Sequence, residues 1–392
     1  MKAFWKEKPI GEVIRLEYGK PLDDAERKPD GLYPVYGANG EKDRSDKFYF
    51  DKPSIIVGRK GSAGEVNLTA EKFWPLDVTY FVTFDEQRND LRFLFYLLTT
   101  LDLPSLAKGV KPGINRNEVY SQVAKIPPLS EQQRIVGILD KAFDGIATAK
   151  TNAEKNIQNA RALFESHLQS VFTQRGEGWM EKRLSEVAES ISTGPFGTML
   201  HKSDYVREGI PLVNPMNIVD SKIVPSSKMM VNEETKDRLR GYVLEVGDII
   251  IGRRGELGRC ALVTEREAGW LCGTGSFLIR LSDAMDGGFF VALFGSEQFK
   301  AGLEASAVGT TMSSLNHGIL SDLLLPIPPI DVQKAITTKA HELLSETQRL
   351  ESIYQRKLAM LDELKKSLLH QAFTGQLTQD ERPSAREAAT HG

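Results

Sequence analysis

Two long stretches of the chain carry an apolar stripe at helical spacing, and each follows an Ile-Pro-Pro. In the first, Pro127 and Pro128 cannot sit inside a helix, and Ser130 with Gln133 has the spacing of a capping box, so a helix is expected to start there. From Ile135 the stripe runs through Leu139, Ala142, Ile146, Ala149, Ala153, Ile157, Ala160, Phe164, Leu168 and Val171. Its steps of four and three describe a coiled-coil seam rather than one face of a globular helix. At 1.5 Å per residue, about 43 residues make a rod on the order of 65 Å long, which needs a partner along its length. The chain supplies one after Ile327-Pro328-Pro329-Ile330-Asp331, with Val332, Ile336, Ala340, Leu343, Thr347, Leu350, Tyr354, Leu358, Leu361, Leu364, Leu368 and Ala372 in the stripe. Two stripes that each lack a mate pack most economically on each other, here as an antiparallel pair.

The repetition extends beyond the rods. Trp5 to Leu16 resembles Trp179 to Ile191, and Ile55-Ile56-Val57-Gly58-Arg59-Lys60-Gly61-Ser62-Ala63-Gly64 returns as Ile249-Ile250-Ile251-Gly252-Arg253-Arg254-Gly255-Glu256-Leu257-Gly258. Both copies of the second motif read as a β-branched strand running into a basic, glycine-punctuated turn. The loop Gly109 to Arg116 matches Gly309 to His317, each shortly before its Ile-Pro-Pro. The expected organisation is a globule over 1–125, a rod over 126–175, a second globule over 176–325, a second rod over 326–378 and a polar, disordered tail over 379–392. Strands at Val78 to Phe84 and Phe277 to Leu281, with helices at Leu91 to Leu98 and Phe289 to Phe294, make the globules mixed α/β or α+β. Periodicity does not fix their topology.

Composition removes several function classes. The chain has 392 residues, 41% of them apolar and 26% charged, which is ordinary for a globular protein. Its most apolar run, Leu91 to Leu103, is broken by Thr99, Thr100 and Asp102, and the start lacks the apolar core of a secretion signal, so no membrane span is expected. The two cysteines, Cys260 and Cys272, suit neither a zinc site nor a disulfide framework, and a reducing cytoplasm fits best. A net charge of −3 argues against a free-standing nucleic-acid binder, so contact with DNA would rest on local basic clusters, with partner subunits supplying the rest of the positive field.

Catalytic chemistry is missing from the motifs. Gly58 to Gly64 lacks the Gly-Lys-Ser/Thr of a phosphate loop, and Asn214-Pro215-Met216-Asn217 lacks the second proline and the aromatic residue of an amino-methyltransferase signature. The six histidines are scattered, with no metal-ligand spacing, and no cofactor is expected in this chain. Binding chemistry is present in two loop sets. Arg59, Lys60, Arg253 and Arg254 are suited to phosphates, although the same glycines also serve as tight turns at strand ends. Lys108, Lys111, Asn115 and Arg116, and in the second copy Thr310, Thr311, Ser313, Asn316 and His317, are side chains that read phosphates and base edges, or equally a solvated loop that closes each globule.

Tyr33-Pro34-Val35-Tyr36-Gly37-Ala38-Asn39-Gly40, Ile55-Ile56-Val57-Gly58-Arg59-Lys60-Gly61, Ile126-Pro127-Pro128-Leu129-Ser130-Glu131-Gln132-Gln133 and Ala372-Phe373-Thr374-Gly375-Gln376-Leu377 resemble the DNA specificity (S) subunits of type I restriction-modification systems. The resemblance spans nearly the whole chain. The second repeat departs from it by reading Asp331-Val332-Gln333, and the first rod ends in Thr173-Gln174-Arg175-Gly176 without Thr-Gly-Gln-Leu. The resemblance implies a non-catalytic subunit with a pseudo-twofold internal repeat, in which each globule is a target recognition domain for one half of a bipartite double-stranded DNA site. It implies that the paired helices hold the two domains apart, and that two methyltransferase subunits bring S-adenosylmethionine. Restriction translocase-nuclease subunits, bringing ATP, are implied as further partners. A solitary DNA methyltransferase or nuclease, and a coiled-coil assembly protein without DNA function, are the alternatives. The first needs cofactor motifs that are missing, and the second leaves two related, loop-rich globules unexplained.

Overall fold

In a computed structural model, which describes residues 5–253, 258–306 and 315–378, the first strand closes against the last strand before the first long helix. That pair is β1 (Lys6–Pro9) and β9 (Val123–Ile126), antiparallel, with Lys6 opposite Ile126. Between them lie β2 (Ile14–Tyr18), β3 (Tyr33–Gly37), β4 (Gly40–Ser45), β5 (Ser54–Gly58), β6 (Val66–Thr69), β7 (Trp74–Pro75) and β8 (Thr79–Phe84). The main sheet has the order β2-β8-β5-β6, all antiparallel, and the smaller one β4-β3-β7. The uninterrupted apolar run of β5 suits an inner strand covered on both faces, and all five of its residues are buried.

Helix α1 (Leu91–Thr100) buries Phe93, Leu94, Leu97 and Leu98, and Asp90 caps it by accepting from Phe93 N at 3.0 Å. The short α2 (Arg116–Tyr120) follows, then α3 (Leu129–Gln174), 46 residues long.

The second half repeats this plan. Strand β10 (Met180–Arg183) pairs with β21 (Leu324–Ile327), and the order β11-β20-β17-β18 reproduces the first main sheet with β11 (Ala188–Thr193), β17 (Ile249–Gly252), β18 (Cys260–Leu262) and β20 (Ser276–Leu281). Added to it are β12 (Tyr205–Val206), β13 (Ile210–Val213), β16 (Met230–Val231) and β19 (Leu271–Cys272) in a second sheet, and a hairpin of β14 (Ile218–Val219) and β15 (Lys222–Ile223). Helices α4 (Glu233–Arg238), α5 (Gly287–Phe294), α6 (Glu297–Ser306) and α7 (His317–Ser321) precede α8 (Ile330–Thr374), 45 residues long.

The chain divides into two units, Met1–Ala153 with Arg356–Gly392, and Glu154–Gln355, so each long helix contributes one half to each unit. In the first unit Ile135 and Leu139 of α3 and Ala372 of α8 belong to the core of the main sheet and α1, with Phe373 against Phe93 at 5.3 Å between ring centroids. The antiparallel run of the helix pair is fixed there by Lys150 with Asp362 and by Lys365 over the Phe143 ring. In the second unit Phe172 enters the core beside Phe289 at 5.8 Å, and Arg161 pairs with Glu351. These exposed ion pairs set register more than stability.

Two details depart from the sequence expectation. Helix α3 begins at Leu129, so Ser130 lies inside its first turn instead of capping it, and the buried Gln132 secures the turn through Pro127 O at 2.9 Å. Leu364 is 47% exposed and lies off the seam, which passes through half-buried Leu361 and Leu368 to buried Ala372. The tail over 379–392 lies outside the described residues.

Candidate nucleic-acid interface

Strand β5 ends at Gly58, where a side chain could not fit: a Cβ would lie 2.1 Å from Ser62 O and 2.6 Å from Ala38 O. The turn it starts is stitched to the loop before α2. Ile114 N donates to Arg59 O at 3.0 Å, Gly61 N to Pro112 O at 2.9 Å, and Arg59 N to Val78 O at 2.8 Å. The second loop closes on itself through Lys108 N to Gly113 O at 2.9 Å and Gly113 N to Lys108 O at 3.1 Å, which leaves Val110 fully exposed at its tip. The structure thus brings Arg59, Lys60, Lys108, Lys111, Asn115 and Arg116 onto two loops that share backbone hydrogen bonds. Lys60, Lys108, Lys111 and Asn115 are exposed, and Lys108 is held by Glu118.

Two of these side chains have local work. Asn115 caps α2, its Oδ1 accepting from Asn117 N at 2.9 Å, which leaves its amide group for a ligand. The Arg59 guanidinium donates to Asp77 O at 3.0 Å and lies 5.3 Å from the centroid of the Tyr18 ring, and Arg116 lies 5.1 Å from the same centroid. Tyr18 was not among the residues singled out from the sequence. Its signal is weak: one aromatic residue at the end of β2, whose alternation places it on the face of buried Ile14 and Leu16 and so predicts burial, not exposure. Beside it, Tyr80 is buried and donates to Ile114 O at 3.3 Å, with burial first among the causes that push its phenol above the usual range and Arg59 pulling it back.

The second unit builds the same junction. Leu315 N donates to Arg253 O at 3.0 Å and Arg253 N to Gly275 O at 2.9 Å, while the Arg253 guanidinium lies 5.2 Å from the Phe277 centroid. Asn316 caps α7 through Ile319 N at 2.9 Å, as Asn115 caps α2. His317 spends Nε2 on Ile191 O at 3.0 Å and Nδ1 on Ser321 Oγ at 3.3 Å. Arg254, Thr310, Thr311 and Ser313 lie outside the described residues.

Among the described residues no group of His, Cys, Asp and Glu side chains could hold a metal, and no helix is long and apolar enough to cross a membrane. Cys260 and Cys272 are free and buried, and burial raises both thiols far above their usual range.

The sequence profile of the type I restriction modification DNA specificity domain matches residues 3–159 and again 176–355. The chain is 24% identical over 412 residues to the type I restriction enzyme MjaVIII specificity subunit of Methanocaldococcus jannaschii, spanning 95% of this chain and 93% of that protein. It is 20% identical over 409 residues to the EcoDI specificity subunit of Escherichia coli, spanning 95% and 89%. Its fold is similar to that of a chain solved in work on complex assembly and conformational transition of the type I R-M system, with a TM-score of 0.75, 17% identity and coverage of 95% and 98%. It is also similar to the HsdS subunit from Thermoanaerobacter tengcongensis, with a TM-score of 0.63, 18% identity and coverage of 96% and 98%.

Proposed function

Since the chain belongs to the family defined by the type I restriction modification DNA specificity domain, we propose that it reads a bipartite DNA sequence, one half-site per unit, on behalf of partner subunits that carry out the chemistry. The observation that carries this reading is the repeated junction, in which Ile114 bonds Arg59 in one unit as Leu315 bonds Arg253 in the other. Two equivalent sites, each joining a glycine turn to a capped helix and each carrying basic side chains, suit two half-sites better than one continuous site.

On this reading two methyltransferase subunits dock on the chain and supply S-adenosylmethionine, restriction subunits add ATP-driven translocation and cleavage, and the chain itself is not catalytic. The proposed interface is Arg59, Lys60, Lys108, Lys111, Asn115 and Arg116 for one half-site, and Arg253, Arg254, Thr310, Thr311, Ser313, Asn316 and His317 for the other. Phosphate contacts would set position and base contacts sequence. The recognition domains are proposed to span 1–125 and 176–325, joined by spacer helices over 126–175 and 326–378.

Methylome sequencing of cells that express the chain with its methyltransferase tests the reading. A modified motif of two short blocks separated by a fixed gap is expected, and a single continuous motif would overturn it. The purified chain alone is expected not to bind S-adenosylmethionine.

A further inference from the structure

The ring of Tyr18 holds two cations at once, with the guanidinium carbons of Arg116 and Arg59 at 5.1 and 5.3 Å from its centroid. The ring is 44% exposed and rests on Tyr80, 5.1 Å between centroids, which is itself locked to the backbone of Ile114. Two like charges on one ring repel each other, and the ring face offsets only part of that repulsion. Among the described residues neither arginine forms an ion pair with a carboxylate. Asp77 meets Arg59 with its backbone carbonyl, and Glu118 holds Lys108. The backbone bond from Ile114 N to Arg59 O ties the segment carrying Arg59 to the one that carries Arg116 two residues on, and the two guanidinium groups converge at the ring.

We infer that Arg59 and Arg116 grip a single step of the DNA backbone, one phosphate or two neighbouring phosphates, and that Tyr18 is the positioning residue that sets the two guanidinium groups for it. The inference rests on the DNA reading above and adds a ligand subsite to it. A phosphate supplies the missing counter-charge, and planar guanidinium groups pair with its oxygens in a fork. The clamp belongs to one unit. Opposite Phe277, where the first unit has Tyr18 opposite Tyr80, the second has Thr193, and His317 stands where Arg116 does. His317 is tied to Ile191 O.

The test uses the complex of the full chain with its methyltransferase subunits, bound to a duplex carrying its motif. Each backbone phosphate is replaced in turn by an uncharged methylphosphonate. The intact complex is expected to lose affinity several-fold at one backbone step of one half-site. Arg59→Met, Arg116→Met and Tyr18→Leu should each become insensitive at that step, keep the intact profile at every other step, and lower the salt slope by about 1. Tyr18→Phe keeps the ring and should keep the intact profile. Three results would overturn the inference: Tyr18→Leu retaining the intact profile, the two arginine variants losing sensitivity at separate, non-neighbouring steps, or either retaining full sensitivity. A complex that bound no duplex of any sequence would instead sink the DNA reading itself.

Discussion

Gln132 and Gln333 are both fully buried and make the same three hydrogen bonds, one residue at the start of each long helix. Gln132 Oε1 accepts from Asp90 N at 2.8 Å, and its amide donates to Arg88 O at 3.0 Å and Pro127 O at 2.9 Å. Gln333 Oε1 accepts from Asp286 N at 2.8 Å, and its amide donates to Ala284 O at 3.0 Å and Pro328 O at 2.9 Å. In each unit the glutamine ties the cap of α1 or α5 to the Pro-Pro entry of α3 or α8. Gln132→Leu would strand a buried donor and two acceptors, at about 1–3 kcal/mol for each unsatisfied group. Hydrogen exchange should show loss of protection in the first unit for Gln132→Leu and in the second for Gln333→Leu. Glutamate at either position, which faces a carboxyl group toward two carbonyls, should be no milder.

The rods were legible because a seam repeated over some ten turns is a long signal, and Pro-Pro marks where each begins. The repeat was legible because both copies keep strand, glycine turn and loop in the same order. The tertiary partners of single side chains were not. Gln132 stands beside Gln133 in sequence, and only burial against the α1 cap selects it. Leu364 fits the heptad but faces outward. At the candidate site Arg59 and Arg116 were visible as basic loop residues, whereas Tyr18 is far from them in sequence and joins them only through the β2–β8 pairing. The capping work of Asn115 and Asn316 follows from their place before short helices, which sequence periodicity does not resolve at five residues.

The seam is built on small residues, and this predicts where the rods resist change. Ala153 is 1% exposed and Leu163 is 69% exposed. Ala153→Leu should overpack the seam and destabilise the chain by about 1–3 kcal/mol in urea unfolding. Leu163→Ala should change stability by less than about 0.5 kcal/mol.

Asp248 gives the second unit a dependence on pH. Burial is the main cause holding its carboxyl above the usual range, against the Glu245 amide at 2.8 Å and the Arg280 guanidinium at 3.3 Å, which pull it down. A carboxyl with a raised folded-state pKa binds its proton more tightly in the native state. Its contribution is therefore full below the unfolded value of 3.8 and is lost as pH rises through the folded one. The stability of the intact chain relative to Asp248→Asn should accordingly fall from acid toward neutral pH, measured by urea unfolding at a series of pH values. A difference that grew with pH would reverse the assignment.

The proposed division of labour between the units can be tested at Asn115 and Asn316. Each uses Oδ1 to cap a short helix and keeps its amide donors for a ligand. Alanine removes both functions, and losing the cap alone costs about 1 kcal/mol. Aspartate retains the capping oxygen and deletes the donors, so it separates recognition from folding. Asn115→Asp should leave unfolding midpoints nearly unchanged and reduce discrimination at one half-site, and Asn316→Asp should do the same at the other. A lost bidentate contact to a base costs about 1–3 kcal/mol, or roughly five- to 150-fold. The double variants Asn115→Ala with Arg116→Ala, and Asn316→Ala with His317→Ala, should each relax one half-site and leave methyltransferase binding intact. The readout is competition binding of the assembled complex against duplexes altered in one half-site at a time. Loss of discrimination at both half-sites from one double variant, or at neither, would show that these loops do not divide the site between them. Loss of Arg116 in the first double variant should also lower the salt slope, so the aspartate variants decide the base contact: a uniform loss across all sequences from Asn115→Asp or Asn316→Asp would place that amide on a phosphate instead of a base edge.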